Sequence, residues 1–385
     1  MSNKYRILSI DGGGIRGIIP AVILAEIERR TSMQIFEMFD LIAGTSTGGI
    51  LALGLTKPYQ SLDKPSQSSQ SKSQYSAEDL VNLYKDEGKY IFNEQETVVD
   101  KMLELIFKQF QEFSKHFPQP LHLPEIDVNS LKGPKFSSTG REKVLERFLG
   151  ETPINQALKE VMIPSYDTEL RTPIFFTSNA HSEKLGTNFR KICKEFTMVQ
   201  AAMATSAAPT YFAPYLVPKP KFHLNPNNQE NDYYSLIDGG IFANNPTSLA
   251  IMEAIISYQK SQRERLSLDN ILVVSLGTGS LTRKYFYNHI KNWGLLSWVE
   301  PILNIVFDGQ SESVSCQLEQ LLPESEGNPK QFFRFQALLT EANDNIDDVS
   351  EQNIGRLESL AKQIIKDRNK DFENLCNILK EVRIR

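Results

Sequence analysis

The sequence Phe39-Asp-Leu-Ile-Ala-Gly-Thr-Ser-Thr-Gly-Gly-Ile-Leu-Ala-Leu-Gly-Leu55 predicts a strand, a sharp turn and a helix in close succession. Its first apolar run stops at Gly44, and a helix-like run resumes after Gly48 and a further glycine. Ser46 occupies the tip of the turn, where flanking glycines let the neighbouring backbone cross without a clash. A helix N-terminus beside the hydroxyl favours developing negative charge. The stretch therefore predicts a nucleophilic serine, although the spacing alone also fits an ordinary glycine-rich turn.

The composition limits the kinds of partner and cofactor that this chain can use. With 385 residues, 40% of them hydrophobic, it can bury a large core. The net charge is -5 and no dense Lys/Arg block occurs, which argues against nucleic acid as a partner. Three widely spaced cysteines offer neither a disulfide framework nor metal-ligand spacing, so no metal is predicted. No apolar signal-peptide region or bilayer-spanning stretch is evident, and we expect a cytoplasmic protein with at most peripheral membrane contact.

Glycine turns also follow apolar strands elsewhere in the chain. The first strand leads into Asp11-Gly-Gly-Gly-Ile-Arg-Gly17, and a later one leads into Asp238-Gly239-Gly240. Helical patterns surround these strands, which predicts an α/β fold with a mostly parallel central sheet flanked by helices on both faces. Functional sites of such sheets lie at the carboxyl ends of the strands, so Asp11, Ser46 and Asp238 are expected to converge. The predicted strands are residues 7–10, 41–43, 173–177, 233–237 and 271–276.

We expect one domain over residues 1–385, with helices over about 350–385 and three surface insertions. The insertions are predicted at about 57–76, 95–132 and 218–232. The second insertion contains a phenylalanine-rich amphipathic pattern at about 98–117. Such a stripe more often packs on the protein body than covers a site or enters a lipid interface.

The glycine loop after the first strand has two interpretations. Gly12, Gly14 and Gly17 satisfy the G-x-G-x-x-G pattern of dinucleotide-binding proteins, but the next strand lacks the terminal acidic residue that this site requires. The other interpretation is an oxyanion hole, in which the N–H groups of Gly12, Gly13 and Gly14 face an oxygen that gains charge during acyl transfer. Arg16 beside the loop either contacts an anionic group or is a solvated surface residue.

A serine hydroxyl attacks only when a base takes its proton, and two arrangements remain open for Ser46. Ser46, Asp238 and His289 follow the nucleophile, acid and histidine order of α/β hydrolases, although no strand end presents His289. Alternatively, Asp238 takes the proton directly, which requires an apolar environment that raises its proton affinity. A plain Asp-Gly turn is the third interpretation of Asp238.

Three of these motifs in this order resemble the oxyanion loop, nucleophile elbow and catalytic aspartate of the patatin-like phospholipases. Further stretches that resemble plant patatins and their bacterial relatives are residues 204–212, 242–246, 275–279 and 293–296. The resemblance implies a Ser-Asp dyad in which Ser46 forms an acyl-enzyme and Asp238 is the base. The residues that it implies as oxyanion donors and supports are Gly12, Gly13, Gly14, Arg16, Gly44, Gly48, Gly239 and Gly240.

The same resemblance implies hydrolysis of glycerolipid acyl esters, of the phospholipase A, galactolipase or lysophospholipase type, without a metal, cofactor or catalytic histidine. It also implies peripheral contact with a membrane or lipid surface. The sequence does not predict the head group, the acyl chain or the oligomeric state. A storage or partner-binding protein on the same fold, with negligible turnover, is the alternative outside enzymology.

Overall fold

A ten-stranded sheet runs through the part of the chain that the computed structural model describes. The described residues are 4–59, 72–92, 133–179, 183–185, 190–223, 231–280, 282–324 and 330–381. The strands are β1 (Tyr5–Ile10), β2 (Leu41–Gly44), β3 (Glu160–Asp167), β4 (Thr172–Thr177), β5 (Lys184–Leu185), β6 (Arg190–Ile192), β7 (Tyr215–Pro218), β8 (Tyr233–Asp238), β9 (Ile271–Leu276) and β10 (Phe332–Phe335).

Helices fill most of the connections between these strands. They are α1 (Ile18–Thr31), α2 (Ile35–Met38), α3 (Thr47–Thr56), α4 (Ala77–Ile91), α5 (Ser138–Leu149), α6 (Met198–Thr205), α7 (Gly240–Ala243), α8 (Thr247–Gln262), α9 (Tyr287–Ile290), α10 (Leu295–Leu321), α11 (Glu351–Asp367) and α12 (Asn369–Lys380). The predicted C-terminal helices correspond to α11 and α12.

Five parallel strands form the centre of the sheet, in the order β10-β9-β1-β2-β3. Beyond β3 the sheet becomes mixed, because β3 pairs antiparallel with both β4 and β8. Alternate residues of β1 enter different cores. Leu8 and Ile10 pack with residues of α1, α3 and α11, whereas Ile7 packs with residues of α8 and α10. The predicted α/β class, with a mostly parallel sheet between two helical layers, is confirmed.

The mixed part of the sheet brings two strand ends together at Pro164. The β2 strand pairs with β3 at residues 160–162, and β8 pairs with β3 at residues 165–167 from the opposite direction. Since β4 occupies the other edge of β3, β2 and β8 share one edge and approach each other end to end. Pro164 lies between the two pairings and has no N–H to offer either strand. The β8 strand therefore runs opposite to β2, yet the carboxyl ends of both strands reach one point.

The predicted insertions fall only partly among the described residues. At the first of them, Tyr59 N donates a hydrogen bond to Lys72 O, which closes the base of the loop. Residues 60–71 and 224–230 lie outside the described residues, as does the whole phenylalanine-rich pattern at 98–117.

Candidate active site

Ser46 lies in the turn between β2 and α3, in a backbone conformation that L-residues rarely adopt, with φ 54° and ψ -122°. A Cβ at Gly44 would lie 2.0 Å from the carbonyl oxygen of Gly48, and one at Gly48 would lie 2.2 Å from that of Ile10. No side chain fits at either position, which explains why glycine is found two residues before and after the serine. The predicted strand, turn and helix are all present.

Hydrogen bonds from more distant parts of the chain fix this turn. The Ser46 N–H donates to Thr205 Oγ1 at 3.0 Å, and the Thr205 hydroxyl donates to Pro164 O at 2.5 Å. The Thr45 hydroxyl donates to Ala243 O at 2.6 Å. The elbow is thereby tied to the end of α6, to the junction on β3, and to α7, which follows Asp238.

Asp238 ends β8 with 2% of its surface exposed, and the Ser46 side chain lies near enough to its carboxylate to interact with it as a hydrogen-bond donor. Its Oδ1 also accepts from Gly240 N at 2.7 Å. Burial raises the pKa of Asp238 to about 6 from the ordinary 3.8, while these two hydrogen bonds and the charge of Arg141 limit the rise. A Cβ at Gly239 would lie 2.4 Å from Pro164 O, so the chain turns against β3 here. The structure thus brings Ser46 and Asp238 into contact.

The glycine loop lies directly beside Ser46. A Cβ at Gly12 would lie 3.3 Å from that of Ser46. However, the Gly12 N–H already donates to Asn244 O at 3.0 Å, so Gly12 is corrected from an oxyanion donor to a loop support. Among the hydrogen bonds that join described residues, none uses the N–H of Gly13 or Gly14. The candidate oxyanion donors are therefore the N–H groups of Gly13 and Gly14.

Arg16 is 3% exposed, so the interpretation as a solvated surface residue is wrong. Its Nε donates to Gly13 O at 3.3 Å, and burial lowers its pKa while the charges of Asp308 and Asp344 oppose this. Its Nη1 has no hydrogen-bond partner among the described residues. Arg16 supports the glycine loop through its hydrogen bond to Gly13 O and places a buried guanidinium beside it.

Asp11, the third polar residue expected at the strand ends, faces away from Ser46 and Asp238. Its carboxylate accepts two hydrogen bonds from Arg334 on β10, at 2.9 and 2.6 Å, and one from Ser311 on α10 at 2.8 Å. Asp11 therefore anchors the start of the glycine loop.

Arg141 on α5 is a site residue that the sequence did not reveal. It is 1% exposed, donates through Nη1 to Ser206, and lies with Cζ 4.1 Å from the ring centre of Phe212. Burial lowers the pKa of Arg141 to about 10, and the charge of Asp238 opposes the change. Its Nε and Nη2 find no hydrogen-bond partner within the described part of the chain. The regular pattern of an amphipathic helix gave no signal for this role.

Thr205, Ser206 and Ala207 link these groups in three consecutive residues. Thr205 accepts from the Ser46 N–H, Ser206 accepts from Arg141, and Ala207 O accepts from Asp238 N at 2.9 Å. The sequence marked this run only as part of a stretch that resembles plant patatins, so its contact with both site residues was missed. The segment sets the relative positions of nucleophile, aspartate and cation.

His289 is exposed on α9, where its ring lies 5.9 Å from that of Phe286. No hydrogen bond among the described residues joins it to Ser46 or Asp238. A triad with His289 is therefore not assembled. His223 is buried beside Tyr234 and Phe196, away from the elbow, and burial lowers its pKa.

The described residues contain neither a metal-binding cluster nor a membrane-spanning helix. No group of three or more His, Cys, Asp or Glu side chains that could hold a metal ion occurs among them. None of their helices combines the length and the apolar character needed to cross a bilayer.

Comparison with known proteins gives three kinds of similarity. The model of the patatin-like phospholipase family matches residues 8–251. Patatin-like protein 1 of Arabidopsis thaliana is 31% identical over 80% of this chain and 68% of its own. A Solanum tuberosum protein named probable inactive patatin-3-Kuras 1 is 30% identical over 78% and 70%.

Among solved structures, human GIVD cytosolic phospholipase A2 in complex with methyl gamma-linolenyl fluorophosphonate is 11% identical, covering 98% of this chain and 59% of the human one. Its TM-score of 0.43 is too low to support an inference. The family model and the plant relatives suffice: the chain belongs to the patatin-like phospholipase family.

Proposed function

We propose that this protein is a serine lipid acyl hydrolase in which Ser46 and Asp238 act as a catalytic dyad. The observation that carries the proposal is the close approach of the Ser46 side chain to the buried Asp238 carboxylate, which is near enough for the hydroxyl to lower the pKa of Asp238. Family membership supports a lipid substrate, and the strained turn supports a nucleophilic role for the serine.

In the first step, Asp238 accepts the hydroxyl proton while Ser46 Oγ bonds to the acyl carbonyl carbon. The carbonyl oxygen becomes an oxyanion that the N–H groups of Gly13 and Gly14 stabilise. Asp238 then gives its proton to the departing alkoxide, the ester C–O bond breaks, and the alcohol leaves. Ser46 is left as an acyl ester.

In the second step, Asp238 takes a proton from water, and the resulting hydroxide attacks the acyl-enzyme. The intermediate collapses, Ser46 Oγ leaves with the proton from Asp238, and the free fatty acid is released. A base with a pKa of about 6 suits both halves of the cycle, because it is ionised near neutral pH yet holds a proton long enough to donate it.

We assign glycerolipids as the substrate class, with hydrolysis of the phospholipase A, galactolipase or lysophospholipase type. The name of the matched family, which is that of phospholipases, supports this class. Mass spectrometry of the products from a mixed lipid extract would identify the head group and the sn position. Cytoplasmic location and the absence of a cofactor remain part of the proposal.

Substitution of the dyad tests the chemistry. Ser46→Ala and Asp238→Asn should each reduce hydrolysis of a p-nitrophenyl acyl ester by at least about 1,000-fold, because each removes a reacting group. His289→Ala is the matched control and should keep most of the activity. Full activity of Ser46→Ala or Asp238→Asn would refute the dyad, and a comparable loss in His289→Ala would restore the triad.

A storage or partner-binding protein is the second candidate, since one relative is named probable inactive. A fluorophosphonate probe separates the two, because it labels only an activated serine. A covalent adduct on Ser46, absent from Ser46→Ala, supports the hydrolase. An unlabelled native protein favours the binding protein.

A further inference from the structure

Residues 282–306 form an aromatic, basic segment of an otherwise acidic chain. Five of these 25 residues are aromatic, against 10% of the whole chain, and they include both of its tryptophans. They are Tyr285, Phe286, Tyr287, Trp293 and Trp298. The segment has three basic residues, Arg283, Lys284 and Lys291, and one acidic residue, Glu300, whereas the chain carries a net charge of -5.

Much of the apolar surface of this segment is exposed. Phe286 and Tyr287 are 59% and 75% exposed, and on α10 Ile302, Ile305 and Val306 are 50%, 44% and 37% exposed. Ile302 lies three positions before Ile305 and four before Val306, so the three side chains share one side of the helix. Single exposed apolar residues are ordinary, but five exposed apolar side chains within 21 positions are typical of a surface that binds another molecule.

Ring contacts join the two parts of this patch. The ring centres of Tyr285 and Trp293 are 5.8 Å apart, and those of Trp293 and Trp298 are 5.2 Å apart. The first α10 turns are thereby connected to the residues around α9. We call the combined surface the aromatic face, and it consists of Tyr285, Phe286, Tyr287, Trp293, Trp298, Ile302, Ile305 and Val306.

The same helix reaches the candidate active site one turn further on. A Cβ at Gly240 would lie 3.2 Å from the Phe307 ring, and the Ser311 hydroxyl donates to Asp11 at 2.8 Å. The Gln310 side chain accepts from Asn245 N at 2.7 Å. The first half of α10 therefore exposes apolar side chains, and the turns that follow pack against Asp11 and the residues after Asp238.

We propose that the aromatic face is the surface by which this protein docks on an anionic lipid bilayer. Tryptophan and tyrosine rings favour the depth of the lipid head groups. Flanking Lys284 and Lys291 are attracted to lipid phosphates, whereas Arg283 is paired with Asp344 at 2.6 Å. Exposed aliphatic side chains gain free energy when they enter the acyl region. The inference rests on the proposed function, because a lipid bilayer is the surface at which a glycerolipid hydrolase meets its substrate.

The two tryptophans provide a direct test, since no other tryptophan contributes to the fluorescence. The full chain with Ser46→Ala is mixed with phosphatidylcholine vesicles, with or without phosphatidylglycerol, so that no turnover occurs. We expect a blue shift and protection from acrylamide quenching with the anionic vesicles, and a weaker response at high salt. An emission spectrum and quenching that do not change would overturn the proposal.

Matched substitutions locate the contact. Ile302→Asn with Ile305→Asn, in the Ser46→Ala background, should lower vesicle binding by about tenfold in a sedimentation assay, since two half-exposed isoleucines lose their apolar burial. The control is Leu268→Asn with Leu321→Asn, which are 39% and 61% exposed, Leu321 at the far end of α10. Because all four side chains are exposed, thermal unfolding should confirm that both variants fold.

The possible outcomes separate this inference from the proposed function. Equal vesicle binding by the two double variants would overturn docking through the aromatic face. A native dimer that the Ile302/Ile305 variant alone makes monomeric, with vesicle binding intact, would also overturn it and assign the face to a second copy. Hydrolysis of a p-nitrophenyl ester by protein with Ser46 intact is measured separately, so a failed dyad leaves the vesicle result readable.

Discussion

At the residue scale, the chemistry depends on the proton affinity of Asp238. Because its pKa is raised to about 6, the ionised base is fully present only above that pH. We expect kcat/KM for a p-nitrophenyl ester to rise through a midpoint near pH 6. A rate that stays constant down to pH 4, the region of an ordinary aspartate, would contradict this assignment.

The same burial predicts how Asp238 affects stability. Its pKa is higher in the folded state, about 6, than the ordinary 3.8, so the folded protein binds more protons between these values. Its contribution to the free energy of unfolding is therefore present below about pH 4 and lost as the pH rises through about 6. Asp238→Asn should stabilise the protein at pH 7 by up to about 3 kcal/mol and have little effect at pH 4. Urea unfolding at the two pH values checks this, and an equal change at both would contradict it.

Arg141 should adjust the same titration through its charge. Its charge lowers the pKa of Asp238, so Arg141→Met should move the acidic limb of the pH–rate profile to higher pH. Arg141→Lys keeps the charge and should restore the limb, even if the contact with Phe212 is weakened. A purely structural arginine would lower the rate in both variants without moving the limb.

At the element scale, the strand-turn-helix unit tolerates no side chain at its crossing points. A Cβ at Gly48 would lie 2.2 Å from Ile10 O, so Gly48→Ala should lower the free energy of unfolding by about 3 kcal/mol or prevent folding. Gly355 in α11 has no atom within 4 Å of such a Cβ. Gly355→Ala is the control and should stabilise the protein by up to about 1 kcal/mol. Chemical denaturation compares the two, and equal changes would contradict the steric argument.

Elements with a strong local pattern were predictable from the sequence, and those defined by distant contacts were not. The elbow was predicted because the glycines and Ser46 lie within five residues. By contrast, β3 was missed because Pro164 in its middle argues against a strand, although the proline lies where the partner strand changes. The Phe332–Phe335 strand was missed because, unlike the equally short β2, it is not followed by a glycine turn.

The same distinction applies to the candidate site. The approach of Ser46 to Asp238 was expected, but the antiparallel pairing of β8 with β3 that produces it leaves no signal in the local sequence. No local pattern could indicate that Arg141 reaches Ser206, 65 residues away, or that Asn244 occupies the Gly12 N–H. The sequence left Arg16 either in contact with an anionic group or solvated at the surface, and the structure buries it against the glycine loop.

At the scale of the whole molecule, Asp11 connects the parallel core, the edge strand and the helix that carries the aromatic face. Its partner Arg334 lies 323 residues away, and its partner Ser311 belongs to α10. Arg334 also donates to Ser275 on β9 at 2.9 Å. The Asp11 carboxylate therefore couples the position of Gly13 and Gly14 to both α10 and β10.

Removal of one member of this buried ion pair should disturb both stability and catalysis. Arg334→Met leaves the Asp11 charge without its main partner, and we expect the free energy of unfolding to fall by about 3 to 5 kcal/mol. Hydrolysis of the p-nitrophenyl ester should fall as well, because the glycine loop loses its anchor. The double variant Asp11→Asn with Arg334→Met removes the uncompensated charge and should recover much of the lost stability. If urea unfolding instead gave additive losses for the two substitutions, the ion pair would not be what joins the loop to the edge of the sheet.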